Sequence, residues 1–371
     1  MALNEENARR SNRTMTAIVC HGPEDYRVEQ VERPVPGECE MVLRIAFCGI
    51  CASDCKCWSG AKMFWGGDKP YVKPPVIPGH EFYGHVDELG PGAAEHFGVS
   101  VGDRVIAEQI VPCDQCRFCR SGKYWMCEVH NIFGFQRVVA DGGMAEYMRI
   151  PRTARVHKID EGISADDAAI IEPLSCAIHT INRGEIQLDD VVVIAGAGPI
   201  GLMMVQVAKL KTPKLLIAID MVDERLKLAK SFGADVVINP REQDALSIVR
   251  SLTDGYGCDV YVEATGSPSG VEQGLNLVRK LGRFVEFSVF GAPATIDWSI
   301  IGDRKELDIR GAHLGPYCYP IAINLLSRGL VTSRGIVTHR YPLNEWDRAI
   351  AVANSLDSIK VLMEAKSPEK G

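Results

Sequence analysis

A glycine-rich turn between a strand-like run and a helix-like run is the feature that most constrains how this chain folds. The apolar run VVVIA is followed by GAGPIG, residues 196–201, and then by the helical pattern LMMVQVAKLK. Glycines at this spacing permit a tight turn, close approach of the backbone to a pyrophosphate, and close packing of helix on strand. The sequence therefore predicts a doubly wound α/β domain in which Gly196, Gly198, Ile200 and Gly201 bind a dinucleotide.

The residues after the next strand-like run bear on which dinucleotide binds. Asp220 lies nineteen residues after Gly201, at the end of the apolar run LLIAI. A carboxylate at this place accepts hydrogen bonds from the adenosine ribose and repels a 2′-phosphate. Arg225 argues in the other direction, because an arginine can bind that phosphate, but Met221 and Val222 add no positive charge. We expect NAD rather than NADP; a purely structural glycine turn, or one for another nucleotide, is the alternative.

The spacing of apolar runs changes once along the chain, and this change divides the chain into two parts. Up to about Arg155, short β-like runs such as MVLRIAF and DRVIAEQ are broken by Gly and Pro. From about Ser164, runs such as DVYVEA and RFVEFS alternate with helix-length stretches such as DERLKLAKSFG, which indicates a parallel sheet flanked by helices. We expect a mainly-β domain over residues 1–163, a Rossmann domain over 164–315, and a return of 316–371 to the first domain.

Three local signals concern helix ends. Gly233 and Gly282 each follow an apolar-periodic segment that ends in basic residues, and so predict left-handed helix caps. Pro173 falls inside the helix-like stretch SADDAAIIEPLSCAIHTI, where it would break the hydrogen-bond ladder. We expect this break to turn Glu172 towards a cleft.

Composition and charge exclude several classes of protein. The 371 residues include 48 acidic and 41 basic side chains without a basic block, so the chain lacks the electrostatic footprint of a nucleic-acid-binding protein. No stretch approaches the roughly 20 apolar residues that cross a bilayer, and MALNEENARRSNR lacks the apolar core of a signal peptide. We expect a cytoplasmic protein without nucleic-acid or membrane partners, whose 13 cysteines bind metal more readily than they form disulfides.

Four closely spaced cysteines indicate a metal site. Cys113, Cys116, Cys119 and Cys127 lie in PCDQCRFCRSGKYWMC with two, two and seven residues between them. Four thiolates from so short a segment can close a tetrahedral shell around Zn²⁺ and leave no open position, as structural zinc sites do. An iron–sulfur cluster or disulfides are the alternatives, but the rest of the chain supplies no electron-transfer context. We predict a structural zinc.

A second set of possible metal ligands is spread more widely along the chain. It comprises Cys51 in CGICASD, His80 and Glu81 in PGHEFYGH, and Glu172 in IEPLSCAIH. Catalytic zinc commonly has three protein ligands of mixed nitrogen, sulfur and oxygen type and keeps a position for water or substrate. At such long spacings, the residues alone do not distinguish a metal site from surface or packed pairs.

The order of these motifs carries a resemblance to one family. CGICASD, PGHEFYG, the four-cysteine segment, IEPL, GAGPIG with Asp220, and EATG at 263–266 follow one another along the chain. From Thr16 to about Leu362 the chain resembles the zinc-containing medium-chain dehydrogenases, and within them the branch of sorbitol, other polyol and threonine dehydrogenases. The resemblance implies a GroES-like catalytic domain, a Rossmann domain, an active site in the cleft between them, and a tetramer.

The resemblance also implies roles for the dispersed ligands. Cys51, His80 and Glu81 look like the ligands of a catalytic zinc, and Glu172 looks like a nearby carboxylate that binds the metal directly or through water. Which of the two carboxylates ligates the resting metal stays open. Exchange between them would suit a metal that must release water and accept an alcohol.

Proton relay is a further expectation from the resemblance. Ser53 resembles the family's hydroxyl that passes the substrate's proton towards the cofactor ribose, although a serine before an aspartate is also common in turns. Lys56 occupies the position at which some relatives continue the relay through a histidine, so the outer half of the relay differs in this chain.

Two further segments resemble those that meet the far end of the cofactor. From the residues alone, FSVFG is only the end of a parallel strand, although ligands do collect at such carboxyl ends. The residues concerned are Ser288, Val289 and Phe290 in FSVFG, and Ala312, His313 and Leu314 in GAHLG.

The function that these features imply is NAD⁺-linked, zinc-dependent oxidation of a secondary hydroxyl of a small polyol to a ketose, with erythritol or threitol to erythrulose as the specific expectation. Oxidation of L-threonine or 2,3-butanediol is the alternative within the same class. A zinc-bearing redox sensor that binds NAD without turnover is the alternative from another class, and Cys48, Cys55 and Cys57 would be its reactive thiols. The segment 58–75 is a candidate lid over substrate or a subunit contact.

Overall fold

The computed structural model describes residues 14–136 and 140–365. The chain divides into two compact units, one formed by Met1–Glu172 with Val337–Gly371 and the other by Pro173–Ile336. The segment in which the sequence predicts no signal peptide, residues 1–13, lies outside the described residues, as do the last six residues.

The strands are numbered in chain order. They are β1 (Thr14–Gly22), β2 (Asp25–Glu32), β3 (Met41–Gly49), β4 (Glu81–Leu89), β5 (Arg104–Ala107), β6 (Ile110–Val111), β7 (Asn131–Ile132), β8 (Tyr147–Ile150), β9 (Val156–Lys158), β10 (Val191–Ala195), β11 (Leu215–Ile219), β12 (Val236–Ile238), β13 (Cys258–Glu263), β14 (Val278–Glu286), β15 (Asp308–Gly311), β16 (Val337–Pro342) and β17 (Lys360–Glu364).

The helices are referred to by their bounds. The α-helices are Ala52–Trp58, Lys62–Trp65, Ala93–Phe97, Arg117–Arg120, Ala165–Ala169, Ile171–Arg183, Pro199–Leu210, Asp223–Ser231, Ala245–Ser251, Pro268–Leu277, Tyr319–Ser327 and Trp346–Ala353. Short 3₁₀ helices span Tyr124–Met126, Trp298–Ile300 and Leu343–Glu345.

The first unit is built on a mainly antiparallel sheet with the strand order β16-β17-β3-β4-β5-β9, and β8 also pairs with β3. In the β3–β4 ladder Gly49 lies opposite Glu81, and in the β17–β3 ladder Leu362 lies opposite Gly49. Because both neighbours run antiparallel to β3, the end of β3 meets the starts of β4 and β17. This register brings distant parts of the sequence together.

The second unit contains a parallel sheet with the strand order β12-β11-β10-β13-β14-β15. All five residues of β10 are buried, as expected for a strand covered on both faces. The order reverses between β10 and β13, so a crevice opens at their carboxyl ends, where doubly wound sheets bind ligands. The two-domain α/β fold predicted from the sequence, with its Rossmann sheet, is confirmed.

The unit boundaries differ from those drawn on the sequence at 163/164 and 315/316. The first unit extends to Glu172, and the chain returns to it only at Val337. Helix Ala165–Ala169 contacts β3 and β4, which accounts for the later first boundary. Gln206 exchanges hydrogen bonds with the backbone of Thr332, which ties the segment after helix Tyr319–Ser327 to the second unit.

The helix ends predicted at Gly233 and Gly282 have different outcomes. Gly233 has φ +107°, so the predicted left-handed position after helix Asp223–Ser231 is confirmed. The prediction for Gly282 is wrong, because this residue lies within β14 and the positive φ, +58°, falls on Leu281. The helix ends at Leu277, and pairing of Val278 with Cys258 in the parallel ladder takes over from helical hydrogen bonds.

Among the described residues, no helix combines the length and the apolar character needed to span a bilayer.

Packing of helix Pro268–Leu277 on the parallel sheet generates a stability prediction. A Cβ at Gly274 would lie 2.2 Å from Cε1 of Tyr261 and 2.6 Å from Cε2 of Phe284. Alanine normally stabilises a helix over glycine by about 1 kcal/mol, whereas overpacking a core costs about 1–3 kcal/mol. We expect the clash to dominate, so that Gly274→Ala lowers the melting temperature in calorimetry. Glu272→Ala on the exposed side of the same helix is the control and should change it little; a higher melting temperature for Gly274→Ala would contradict the packing.

Candidate functional site

The turn after β3 positions the first metal-ligand candidate. Cys51 is the N-cap of helix Ala52–Trp58, and its backbone N–H donates to Oδ2 of Asp54 at 2.8 Å. This capping bond fixes the backbone at Cys51, since an acidic side chain at the third helical position satisfies an otherwise free N–H. Ser53 and Lys56 lie on the same helix, three residues apart and therefore on adjacent turns.

The register of β3 against β4 brings the three dispersed ligand candidates together. Single ligand atoms of Cys51, His80 and Glu81 all lie within 4.8 Å of one another. Gly49, opposite Glu81, allows this approach, because a Cβ there would lie 2.2 Å from Oε2 of Glu81. A mixed set of sulfur, nitrogen and oxygen donors in one place is typical of catalytic zinc.

Both imidazole nitrogens of His80 have polar neighbours that orient the ring. Nε2 lies 3.3 Å from Oγ of Ser53, and Nδ1 lies 3.6 Å from Oδ1 of Asp54. A carboxylate beside one ring nitrogen of a histidine fixes the ring and leaves the other nitrogen to bind a metal. Asp54 thus supports Cys51 through the backbone and His80 through the ring.

Glu81 forms a buried ion pair with Lys360, the first residue of β17. Nζ of Lys360 lies 2.5 Å from Oε2 of Glu81 and donates to the carbonyl of Ile50 at 3.1 Å, and both side chains are at most 2% exposed. Burial alone would lower the pKa of Lys360, but the neighbouring Glu81 carboxylate more than offsets this and raises it. Lys360 is therefore held as a cation.

The chemistry of the donor set fits a zinc ion. Oε1 of Glu81 is buried and accepts no hydrogen bond within the described structure, and Nε2 of His80 remains to bind a metal because Nδ1 faces Asp54. Burial also raises the pKa of Cys51, so binding of a metal there would release the thiol proton. A buried carboxylate oxygen without a partner is costly, and a cation bound to it would remove that cost.

Glu172 is not part of this three-residue group. Helix Ala165–Ala169 ends at Ala169 with Ile170 as its C-cap, and a new helix begins at Ile171. Pro173 therefore falls in the first turn of the new helix, where its missing N–H costs nothing. The predicted interruption is therefore present, but before Glu172 rather than at Pro173. Glu172 is buried and its Oε1 accepts a hydrogen bond from Nε2 of Gln109 at 2.5 Å.

The extra cysteines near Cys51 belong to neither metal group of the described residues. Cys48 is buried in β3, and Cys57 accepts a hydrogen bond from the Tyr26 hydroxyl at 3.2 Å. Burial raises the pKa of Cys48 and raises the pKa of Cys55 and Cys57 to about 12. These groups are thiols at neutral pH, which disfavours their use as reactive thiolates.

The segment 58–75 supplies aromatic packing beside His80. Phe64, in helix Lys62–Trp65, stacks on Phe135 with a centroid distance of 5.3 Å, and Phe135 lies 5.6 Å from the His80 ring. Tyr71 completes this group at 5.5 Å from Phe135. The segment thus forms an apolar wall on one side of the metal-ligand group.

The four-cysteine lobe brings its sulfur atoms together. The Sγ atoms of Cys113, Cys116, Cys119 and Cys127 lie within 4.8 Å of one another, close to the spacing of about 3.8 Å around tetrahedral zinc. Backbone N–H groups donate to three of these sulfurs at 3.3–3.5 Å. The donation from Cys119 lowers the pKa of Cys116 to about 6, which favours the thiolate that zinc requires.

The predicted dinucleotide turn lies at the carboxyl edge of β10. Gly196 has φ +99°, and a Cβ there would lie 2.5 Å from the carbonyl oxygen of Ala264. A Cβ at Gly201 would lie 1.8 Å from the carbonyl oxygen of Gly196, whereas Gly198 faces open space. Helix Pro199–Leu210, which includes Ile200, starts here and directs its N-terminus to that space. This arrangement suits a pyrophosphate.

The carboxylate predicted to select NAD also fixes the turn. Oδ2 of Asp220 accepts a hydrogen bond from the backbone N–H of Ala197 at 2.6 Å, and Oδ1 accepts one from Val222 at 2.9 Å. Asp220 follows β11, the strand next to β10, and so lies beside the glycine turn. Arg225 lies in the first turn of helix Asp223–Ser231.

The two segments predicted to meet the far end of the cofactor follow neighbouring parallel strands. One comes directly after β14 and the other directly after β15, and Glu286 lies opposite Gly311 at the end of this ladder. The structure thus brings them to the carboxyl edge that carries the glycine turn. These residues are Ser288, Val289, Phe290, Ala312, His313 and Leu314.

Two acidic residues end β13 and β14 at the same edge. Glu263 lies opposite Glu286 in the ladder, and its carboxylate accepts hydrogen bonds from the backbone of Thr265 and Gly266. Half-burial, together with the charge of Glu263, raises the pKa of Glu286 to about 7. Oε1 of Glu286 is buried without a hydrogen-bond partner in the described structure.

Three residues that complete the metal site were missed from the sequence. Asp54 had a local signal, because an acidic residue three positions after Cys51 suits a helix cap. Lys360 had a weaker one, a charged residue at the start of the apolar run VLM. Gln109 had none, since only the fold brings it to Glu172.

The two units together define a class of protein, a metal-dependent dehydrogenase that uses a nicotinamide cofactor. Residues 37–161 match the alcohol dehydrogenase GroES-like domain, and residues 199–328 match the zinc-binding dehydrogenase domain. The chain belongs to the zinc-binding dehydrogenase family, and the GroES-like part of the predicted fold is confirmed.

Curated relatives and solved structures agree with this assignment. The chain is 52% identical to erythritol/L-threitol dehydrogenase of Mycolicibacterium smegmatis over 94% of this chain and 96% of the relative. It is 36% identical to a sorbitol dehydrogenase of Halalkalibacterium halodurans over 92% and 96%. An alcohol dehydrogenase from Escherichia coli solved with NADH superposes with a TM-score of 0.83 at 30% identity, covering 95% and 99%.

The raised pKa of Glu286 generates a prediction on stability and pH. From about pH 4.5 to 7 the carboxyl is ionised in the unfolded chain but protonated in the folded one, so stability falls as pH rises. We expect Glu286→Gln to be more stable than wild type by about 1–2 kcal/mol at about pH 8, after allowance for partial solvent exposure, with little difference at about pH 5.

Urea unfolding at the two pH values is the measurement, and Glu272→Gln, at an exposed position of helix Pro268–Leu277, is the control. An equal effect of Glu286→Gln at both pH values would contradict the assignment.

Proposed function

We propose that this protein is an NAD⁺-dependent polyol dehydrogenase that oxidises one secondary hydroxyl of erythritol or threitol to give the ketose erythrulose. The observation that carries the proposal is the grouping of Cys51, His80 and Glu81 at the end of β3, in a chain whose other unit has a dinucleotide-type glycine turn. The 52% identity to an erythritol/L-threitol dehydrogenase, against 36% to a sorbitol dehydrogenase, supports a four-carbon substrate.

In this proposal Cys51, His80 and Glu81 hold the catalytic zinc. Bound zinc lowers the pKa of a substrate hydroxyl, and bound NAD⁺ accepts a hydride. Three protein donors would leave a position open on the zinc, as a catalytic rather than a structural site requires. Glu172, whose Oε1 accepts a hydrogen bond from Nε2 of Gln109, would serve as the second carboxylate if Glu81 exchanges.

Ser53 takes the substrate proton. Its Oγ lies 3.3 Å from Nε2 of His80, so a hydroxyl that binds beside that nitrogen would lie within hydrogen-bond reach of Ser53. Lys56, on the next turn of the helix, would lie beside the outward path of the proton from Ser53. A lysine is a cation at neutral pH, so it would stabilise a negatively charged relay rather than accept a further proton.

Cofactor choice in this proposal rests on Asp220. Its carboxylate lies beside Ala197 of the glycine turn, where a 2′-phosphate on the adenosine ribose would meet a negative charge. We infer that NAD is preferred over NADP, that Gly196, Gly198, Ile200 and Gly201 bind the pyrophosphate, and that the segments after β14 and β15 bind the nicotinamide half.

Zinc in the four-cysteine lobe is proposed as structural, since four sulfurs this close together would complete a tetrahedral shell around it. All 13 cysteines are free of disulfides, which supports a reducing, cytoplasmic location. A homotetramer is the oligomeric state proposed from the family resemblance.

The proposal is tested by following NADH absorbance with zinc-loaded protein. We expect erythritol or a threitol to give a higher kcat/KM than sorbitol, xylitol, 2,3-butanediol or L-threonine, and NADP⁺ to be used about tenfold less well or worse than NAD⁺. Cys51→Ser should abolish NADH formation, because it removes a proposed metal ligand. Cys55→Ser is the matched control, since Cys55 lies four residues away on the same helix and outside the ligand group, and it should stay active.

Activity on L-threonine alone would contradict the polyol assignment and favour its alternative. Absence of turnover on every substrate, with zinc bound, would contradict enzymatic function and favour the sensor.

A further inference from the structure

Glu81 presents two unlike oxygens to its surroundings. Oε2 lies 2.5 Å from Nζ of Lys360, while Oε1 is buried and accepts no hydrogen bond within the described structure. The lack of a side chain at Gly49 gives Oε2 the space to reach this position, because a Cβ would lie 2.2 Å from it. One oxygen is therefore occupied by a protein cation, and the other is available.

Lys360 is itself fixed in place. Its Nζ also donates to the carbonyl of Ile50 at 3.1 Å, one residue before Cys51, and its side chain is only 2% exposed. The backbone around it belongs to β17, which pairs with β3. The ammonium thus links Glu81 to the backbone that carries another member of the ligand group, and it cannot move into solvent.

A fixed ammonium limits how a carboxylate can bind a second cation. A carboxylate that uses both oxygens occupies two positions on a metal, whereas one that uses a single oxygen occupies one. Catalytic zinc needs a free position for substrate, and zinc is most often four-coordinate. Groups that hydrogen-bond a ligating carboxylate orient it and tune its donor strength.

We propose that Lys360 is a positioning residue that holds Oε2 of Glu81, so that Glu81 binds the catalytic metal through one oxygen and one coordination position stays open for the substrate hydroxyl. This inference rests on the proposed function, because it takes Cys51, His80 and Glu81 as the metal ligands. It also implies that the buried ammonium of Lys360 sets the strength of the metal–carboxylate bond.

The inference and a purely structural role for Lys360 predict opposite changes in metal affinity when Lys360 is replaced. Without the ammonium, both oxygens of Glu81 are available to the metal, and no protein cation offsets the charge of the carboxylate. The metal should therefore bind more tightly, and the second oxygen should take the position that is otherwise open for substrate. If Lys360 only stabilises the fold, its removal should loosen the site and weaken metal binding. The sign of the change in metal affinity therefore separates the two roles.

The experiment uses the full-length protein with Co²⁺ in its metal sites and the substitution Lys360→Met, which keeps the length of the side chain but removes its charge. The visible spectrum of Co²⁺ reports coordination number, since four-coordinate sites absorb more strongly than five-coordinate ones. Subtraction of the Cys51→Ser spectrum removes the contribution of the four-cysteine site. Release of the metal to a chelator is measured on the same samples.

We expect Lys360→Met to weaken the visible bands of the catalytic site, to slow release of its metal by about tenfold, and to lower kcat. Lys360→Gln, which retains a donor for the Ile50 carbonyl, should change all three in the same direction and keeps the test valid if the methionine variant does not fold. Lys305→Met is the matched control, because Lys305 donates to three backbone carbonyls in the other unit, and it should leave the Co²⁺ spectrum unchanged.

An unchanged spectrum, or faster metal release, in the Lys360 variants would overturn the inference while leaving the proposed function in place. A wild-type spectrum without any component that depends on Cys51 would overturn the metal site itself, and with it both proposals.

Discussion

The Glu81 carboxylate is buried, with only 1% of its side chain exposed, and the packing of the first unit must compensate its charge. A lone buried carboxylate is unstable, and breaking a buried ion pair costs about 3–5 kcal/mol. Lys360 offsets the charge at Oε2, and Gly49 leaves the space that the pair needs. Oε1 is left with incomplete bonding. A divalent cation held with Cys51 would complete it, so the same burial that threatens stability creates affinity for zinc.

The second unit has the backbone features that bind a large anion, the pyrophosphate of a dinucleotide, through neutral N–H groups. Parallel strands end at one edge, and the order reversal between β10 and β13 opens that edge. Gly201 packs its helix so tightly on the turn that a Cβ would lie 1.8 Å from the Gly196 carbonyl. Asp220 then anchors the turn through Ala197. In this unit the glycines are required by close approach of backbone to backbone, and the same approach leaves N–H groups for a ligand.

Local patterns allowed much of this to be predicted from the sequence. The alternation of apolar runs predicted the parallel sheet, because buried strands need continuous apolar residues, and cysteine spacing predicted the lobe. Long-range strand pairing could not be predicted from the sequence. Nothing near Glu81 in sequence indicates Lys360, which only the β17–β3 ladder brings to it. Likewise Gly282 was misread, because the helix pattern before it continues past the point at which strand pairing begins. The domain boundaries differed for the same reason, since tertiary contacts rather than local composition decide them.

Metal analysis of the purified protein tests whether the chain holds a catalytic zinc at Cys51, His80 and Glu81 and a separate zinc in the four-cysteine lobe. The two ligand groups predict two zinc ions per chain in the wild type and one in Cys51→Ser. We expect Cys51→Ser to remain folded, to lose one zinc and to form no NADH. Two zinc ions retained in Cys51→Ser, or activity that survives the substitution, would contradict this expectation.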